Sequence, residues 1–374
     1  MGKENKLESK IFDILKKLQK MSVSEMMRFD VKDGQEDGVY YHKTYVGKAQ
    51  KAMGDCGGLS QSWCDMSPWQ KMCVYKVSDE YGVDCDVALY SVVIYWLALC
   101  ENGEGWKIRE QKRKPGYYEL VSKQGWILRG DTMNSYATTV REYIRKIWLP
   151  VPEHKAEMEK RGIITTTGKG WEISKKYGQC SETNYWDAAI LAEYDDYFKN
   201  ILPQAAETFF RLCHTIGNFT VWLADCNMPR GNGPVKDYWD LTLYHIHQWY
   251  EVNKELTTKN DALLKLFGSQ LVIFQDWLVS FGTWDKFVEQ NFLQDFVETD
   301  GKPKELWKNH FVSKGVKPTG KRCSEREVAG KTDFEQFFEN SSKLIGNRGK
   351  KIAEAVQQRL EGENLEELSR QMAG

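Results

Sequence analysis

The polar residues able to do chemistry gather in three stretches of an otherwise apolar-patterned chain. The first is Leu128-Arg-Gly-Asp-Thr-Met-Asn-Ser-Tyr136, where Arg129, Asp131 and Asn134 fall at a predicted strand-to-helix junction. The start of a helix offers unsatisfied N–H groups and a partial positive charge, and a guanidinium beside it adds a forked donor, so this junction suits an anion. The same residues also fit a purely structural role, with Asp131 or Asn134 capping the helix and Arg129 pairing with an acid.

The second stretch, Phe210-Arg-Leu-Cys-His-Thr-Ile-Gly-Asn-Phe-Thr220, places His214, Gly217 and Asn218 at the expected end of a helix, which Gly217 would stop. A histidine in an apolar setting can move a proton, or it can be a satisfied core residue. The loop that follows, from 226 to 234, carries Asn227 and Arg230 among glycines that let a backbone approach a ligand closely.

The third stretch begins Asp237-Tyr-Trp-Asp240 and runs on to Tyr244, His245 and His247. Asp237 suits a helix N-cap, and Asp240 shares a helix face with Tyr244. His245 and His247 diverge by about 200° at 3.6 residues per turn, so they do not chelate, and no metal site is predicted. The candidate catalytic residues are therefore His214 and Asp240. The candidate ligand-binding residues are Arg129, Asp131, Asn134, Asn218, Asn227 and Arg230, a set suited to a phosphate-bearing ligand such as a nucleotide or nucleic acid. A fourth stretch, 344–356, has the glycine spacing of a helix-hairpin-helix phosphate loop in Gly349 and Ala353, but carries Asn347 and Arg348 where a glycine and an apolar residue belong; a charged helix start explains it equally. Walker, GxSxG and strand-linked GxGxxG patterns are absent, so no cofactor follows from the sequence and whether the chain is an enzyme stays open.

Taken in order, LRGDTMNSY, HTIGNF and DYWDLTL resemble a family of uncharacterised intracellular bacterial proteins, over roughly residues 125–300. The resemblance implies a shared site and no particular activity. A second likeness is to HNH-type nuclease domains of restriction proteins, through Ile201-Leu-Pro-Gln204, Gly217-Asn-Phe-Thr220 and Asn227. That family carries its catalytic histidine where this chain has Asn200, so His214 would have to stand in as the general base.

The elements that must position these residues are mostly helical. Apolar residues recur at helical spacing over 6–28, 68–81, 87–100 and 134–148. Segments 106–110, 117–121 and 125–130 alternate as strands around turn residues, and a second hairpin is predicted across Gly168-Lys-Gly170. From 181 onward the pattern is helical, at 183–200, 203–216, 237–253, 260–281, 283–299, 333–344 and 348–372. The expected class is thus α+β, predominantly α-helical, with a small antiparallel sheet in the first half. Four regions follow: 1–180 with the hairpins, a helical core at 181–300, a basic linker or lobe at 301–332, and closing helices at 333–374.

Composition narrows the partners. The 374 residues carry 52 Lys and Arg against 53 Asp and Glu, so nucleic acid or membrane would have to meet a local patch. Two such basic patches stand out, at 107–114 and 302–331, with Trp106, Tyr117, Trp307 and Phe311 nearby. Nine cysteines, an odd number with no CxxC, argue against a disulfide framework. The charged N-terminus lacks the apolar core of a secretory signal, and the apolar run 87–100 is shorter than the ~20 residues that span a bilayer. A cytoplasmic protein with no membrane association is expected. Three readings remain: a phosphate-ligand site, an HNH-like metal-dependent nuclease of host defence, or a non-enzymatic interaction module whose polar motifs only fix the fold.

Overall fold

A computed structural model describes residues 3–28, 89–100, 105–111, 116–133, 150–160, 164–168, 170–173, 203–212, 215–224, 238–252, 271–307 and 330–373, with Tyr143 and Ile147. In chain order these form α1 (Lys3–Lys20), α2 (Val23–Arg28), α3 (Leu89–Leu99), β1 (Trp106–Glu110), β2 (Tyr118–Ser122) and β3 (Ile127–Thr132). Next come α4 (Pro152–Lys160), β4 (Ile164–Thr167), β5 (Gly170–Ile173), α5 (Gln204–Leu212) and, after a 3-10 turn at Ile216–Asn218, β6 (Phe219–Leu223). The remainder is α6 (Trp239–Val252), α7 (Leu271–Ser280), α8 (Trp284–Gln290), a 3-10 turn at Gln294–Phe296, α9 (Lys331–Leu360) and α10 (Leu365–Ala373). The fold is α+β and mostly helical, as the patterning predicts.

β1, β2, β3 and β6 form one antiparallel sheet in that order. The register aligns Ile108, Leu120, Leu128 and Leu223 in one row. The first three are buried and face α3, which is apolar almost all round and buried from Leu89 to Leu97. Gly125 turns β2 into β3 at a φ of 87°, where a side chain would be strained, and its N–H donates to Ser122 O at 3.0 Å.

α9 is the spine. Phe334, Phe337, Phe338, Ser341, Leu344, Ile345, Arg348, Gly349, Ile352, Ala353 and Val356 recur at helical spacing and are all buried. This face packs on α5, α2, α3 and the 216–218 turn. The first and last helices of the chain, α1 and α10, pack on each other.

The structure departs from the sequence reading in several places. The 6–28 helix is two helices, because Ser22 and Glu25 form a capping box: Glu25 Oε2 accepts from Ser22 N at 2.8 Å and Ser22 Oγ accepts from Glu25 N at 3.2 Å. These hydrogen bonds hold the Glu25 carboxyl below its usual range. The break expected between 344 and 348 does not exist, so the 344–356 stretch is neither a phosphate-binding loop nor a helix start but the middle of α9. Helix α4 begins on Pro152, where its missing N–H costs nothing. The expected 203–216 helix ends at Leu212 and gives way to β6. The start of the supposed basic linker is folded in: Pro303, Leu306 and Trp307 are buried, and Trp307 packs edge-on against Tyr238 at 5.5 Å. The helices expected at 68–81 and 183–200 lie outside the described residues.

Candidate functional site

Four of the eight candidate residues are described: Arg129, Asp131, Asn218 and Asp240. Asn134, His214, Asn227 and Arg230 lie outside the described residues. The first two motifs are strand partners. Arg129 lies opposite Trp222, Asp131 opposite Thr220, and Met133 N donates to Asn218 O at 2.6 Å. Asn218 is fully buried. The third motif packs beside them, with Trp239 meeting Trp222 edge-on at 5.4 Å. Trp222 also contacts Phe274 and Trp277 of α7, so aromatic packing covers the sheet face at β6.

Asp240 is a buried carboxylate with backbone work. Oδ1 accepts from Leu241 N and Oδ2 from Leu306 N, each at 2.9 Å, which ties the start of α6 to the segment before 308. Asn340 Nδ2 fixes that segment from the other side through Leu306 O at 2.8 Å.

Arg129 belongs to a row that the sequence reading did not assemble. Arg109 pairs with Glu119 across β1 and β2, and continuing the β2–β3 register sets Arg129 on the other side of Glu119. Arg109 Nε and Nη2 donate to Glu119 Oε1 at 3.1 and 2.5 Å, while Arg129 Nε donates to Oε2 at 3.0 Å. The carboxylate is 3% exposed, whereas the two arginines are 46% and 35% exposed. The two arginine side chains cover the acid and stay partly exposed themselves. Both Nη atoms of Arg129 and Nη1 of Arg109 have no partner among the described residues. The row carries two positive charges against one negative, which leaves a net +1 with open donors on the sheet face away from α3.

A second arginine outside the candidate set is wholly buried. Arg348 Nε donates to Asn291 O at 3.0 Å, and Nη1 donates to Gly217 O at 3.0 Å and to Phe219 O. Its Nη2 has no partner among the described residues. Burial pushes its pKa down to about 10, which keeps it charged at neutral pH. It pins α9 to the turn that leads into β6. Beside it Gly217 touches α9 so closely that a Cβ would overlap Ile345 O and sit 2.8 Å from Gly349 N. Arg348 falls at the apolar spacing of α9, which is the sequence signal that marks it as a core position.

Two histidines of the third motif are packed rather than presented. Burial pushes His245 down to about 4, and its Nδ1 has no partner among the described residues. His247 stands edge-on to Trp284 at 5.1 Å and 4.0 Å from Glu251; burial lowers its pKa more than the nearby acids raise it. Cys100 is buried and free, with its thiol pushed up to about 12, so it stays protonated.

These features define a mostly helical α+β protein with a cationic row on an open sheet face and a separate buried arginine holding its core. Residues 131–352 match a family of unknown function, DUF6994, and the chain belongs to it. The match starts within β3 and ends within α9, so Arg109, Glu119 and Arg129 precede it and join it through the β3–β6 pairing. No curated protein and no solved structure matches the chain.

Proposed function

We propose that this chain binds a phosphate-bearing ligand, a nucleotide or nucleic acid, at the arginine row of its sheet. The observation that carries the reading is the sharing of one buried carboxylate by two half-exposed guanidinium groups. Glu119 fixes both arginines in orientation while satisfying only part of their donors, so the remaining donors are set for oxyanion binding without further ordering. Asp131 continues the same strand, and Asn218 pairs by its backbone at that strand's end. Asp240 serves here as a structural anchor through its two backbone hydrogen bonds. The nuclease and interaction readings draw no separate support from the described geometry.

A cytoplasmic setting belongs to this reading, consistent with the free buried thiol of Cys100 and the unpaired cysteine count. Among the described residues, no helix is long and apolar enough to cross a membrane. The test is a thermal-shift panel of inorganic phosphate, AMP, ATP and a short oligonucleotide on the unaltered chain and on Arg129→Gln. At least one phosphate compound should raise the melting temperature of the unaltered chain and lose that effect in Arg129→Gln. A panel in which none does so defeats the reading.

A further inference from the structure

We infer that the β1–β3 meander is a binding surface for a nucleic-acid strand, with Arg109 and Arg129 together gripping one backbone phosphodiester; the inference rests on the phosphate-binding reading above. Charge balance points to the diester. The row is +1, so a monoanionic phosphodiester neutralises it, whereas a dianionic phosphomonoester leaves a net negative charge over a buried carboxylate.

The shape of the site agrees. Alternation along β1 puts Lys107 and Arg109 on one face, both exposed, and Val121, Ile127 and Arg129 of the neighbouring strands share that face and are half-buried. Lys107 Nζ donates to Gln371 O of α10 at 2.7 Å, so on this face the donors left for a ligand among the described residues are those of the arginine row. Two cavities lie elsewhere, one lined by Gln19 and Gln357 and the other by Asp300 and Lys302.

The charge continues beyond the row. Residues 105–132 hold Lys107, Arg109, Lys112, Arg113, Lys114, Lys123 and Arg129 against Glu110, Glu119 and Asp131, a surplus of four in a chain whose net charge is -1. Lys112, Arg113 and Lys114 follow β1 in sequence and lie outside the described residues, and Lys123 lies in the turn after β2. A polyanion crossing the row toward the turn after β2 meets further positive charge at the exposed Lys123, which a lone nucleotide cannot use.

The experiment is fluorescence anisotropy with a labelled single-stranded DNA and RNA oligonucleotide between 50 and 200 mM salt. It compares the unaltered chain with Arg109→Gln/Arg129→Gln, while ATP and inorganic phosphate are titrated in parallel. The unaltered chain should bind at least one strand type with affinity falling linearly in log salt, and the double variant should bind at least tenfold more weakly with its slope reduced by about 0.7, the share of one phosphate in a single strand. Arg109→Gln alone leaves Glu119 its Arg129 partner and should weaken binding in the same direction by a smaller factor, which serves if the double variant does not fold. Binding of ATP or phosphate through Arg129 without any oligonucleotide binding overturns the strand surface and leaves the phosphate reading standing. Binding of none of them removes both. Oligonucleotide binding indifferent to the arginine changes in a folded protein also overturns the inference.

Discussion

At the scale of single residues, two arginines illustrate opposite solutions to carrying charge. Arg129 is partly exposed and shares a carboxylate, whereas Arg348 is wholly buried and bonded only to backbone carbonyls among the described residues. The second arrangement works because Gly217 lets α9 come close enough for the guanidinium to reach two carbonyls of the 217–219 segment. Gly217→Ala forces Ile345 or the turn aside and is expected to cost about 2–3 kcal/mol, the upper part of the overpacking range, read as a lower urea midpoint at unchanged slope. The sequence reads Arg348 as a charged helix start; only in the unbroken α9 does its spacing with Leu344, Ile345 and Ile352 mark a core position, and two of the three carbonyls it reaches are over 120 residues away. Glu119 was not legible as a site residue. Folding the predicted strands 106–110 and 117–121 symmetrically sets Tyr118 opposite Arg109, one residue from the true Arg109–Glu119 pair, and an acid on an alternating strand reads as ordinary surface until a second arginine is found beside it.

At the scale of elements, local chemistry decides where helices stop. The Ser22–Glu25 capping box divides what periodicity alone joins into one helix. Ser22→Ala should lower stability by about 1 kcal/mol, as loss of an N-cap does, without altering the sheet; matched denaturation curves check it. The β1–β3 meander was readable because one face is buried and the other is not, which produces alternation. β6 was missed because Phe219, Thr220, Val221, Trp222 and Leu223 are all buried, and a strand covered on both faces shows no period of two. The opposite error arose in α9, where two helices, 333–344 and 348–372, were expected although one helix runs through and meets Gly217 at Gly349.

At the scale of the whole molecule, the matched family stretch is not a separable structural unit. The four-stranded sheet draws three strands from residues before 133 and the fourth from 219–223, while α1 and α10 join the two ends of the chain. Stability should report its buried histidines. His245 titrates near 4 in the fold because burial disfavours its charged form, against about 6.5 when unfolded. Above pH 6.5 the ring is neutral in both states and stability is at its full value. As pH falls from 6.5 toward 4 the unfolded chain takes up a proton that the fold refuses, and stability drops by up to about 3 kcal/mol. His247, lowered in the same direction by burial, adds to the loss. Denaturation midpoints at pH 7.5 and 4.5 measure this, and His245→Phe should flatten the difference. The central claim, that Glu119 holds two arginines in a phosphate site, is tested most directly by calorimetric titration of inorganic phosphate into the unaltered chain and into Glu119→Gln, with circular dichroism to verify the fold. Glutamine keeps the shape but exchanges one accepting oxygen for an NH2 donor, so only one of the two guanidinium groups stays held. Phosphate should bind more weakly, even though the lost negative charge, at about 4 Å in a water-like medium, by itself favours the anion by roughly 1 kcal/mol. Unchanged or tighter binding in a folded Glu119→Gln protein would contradict the account.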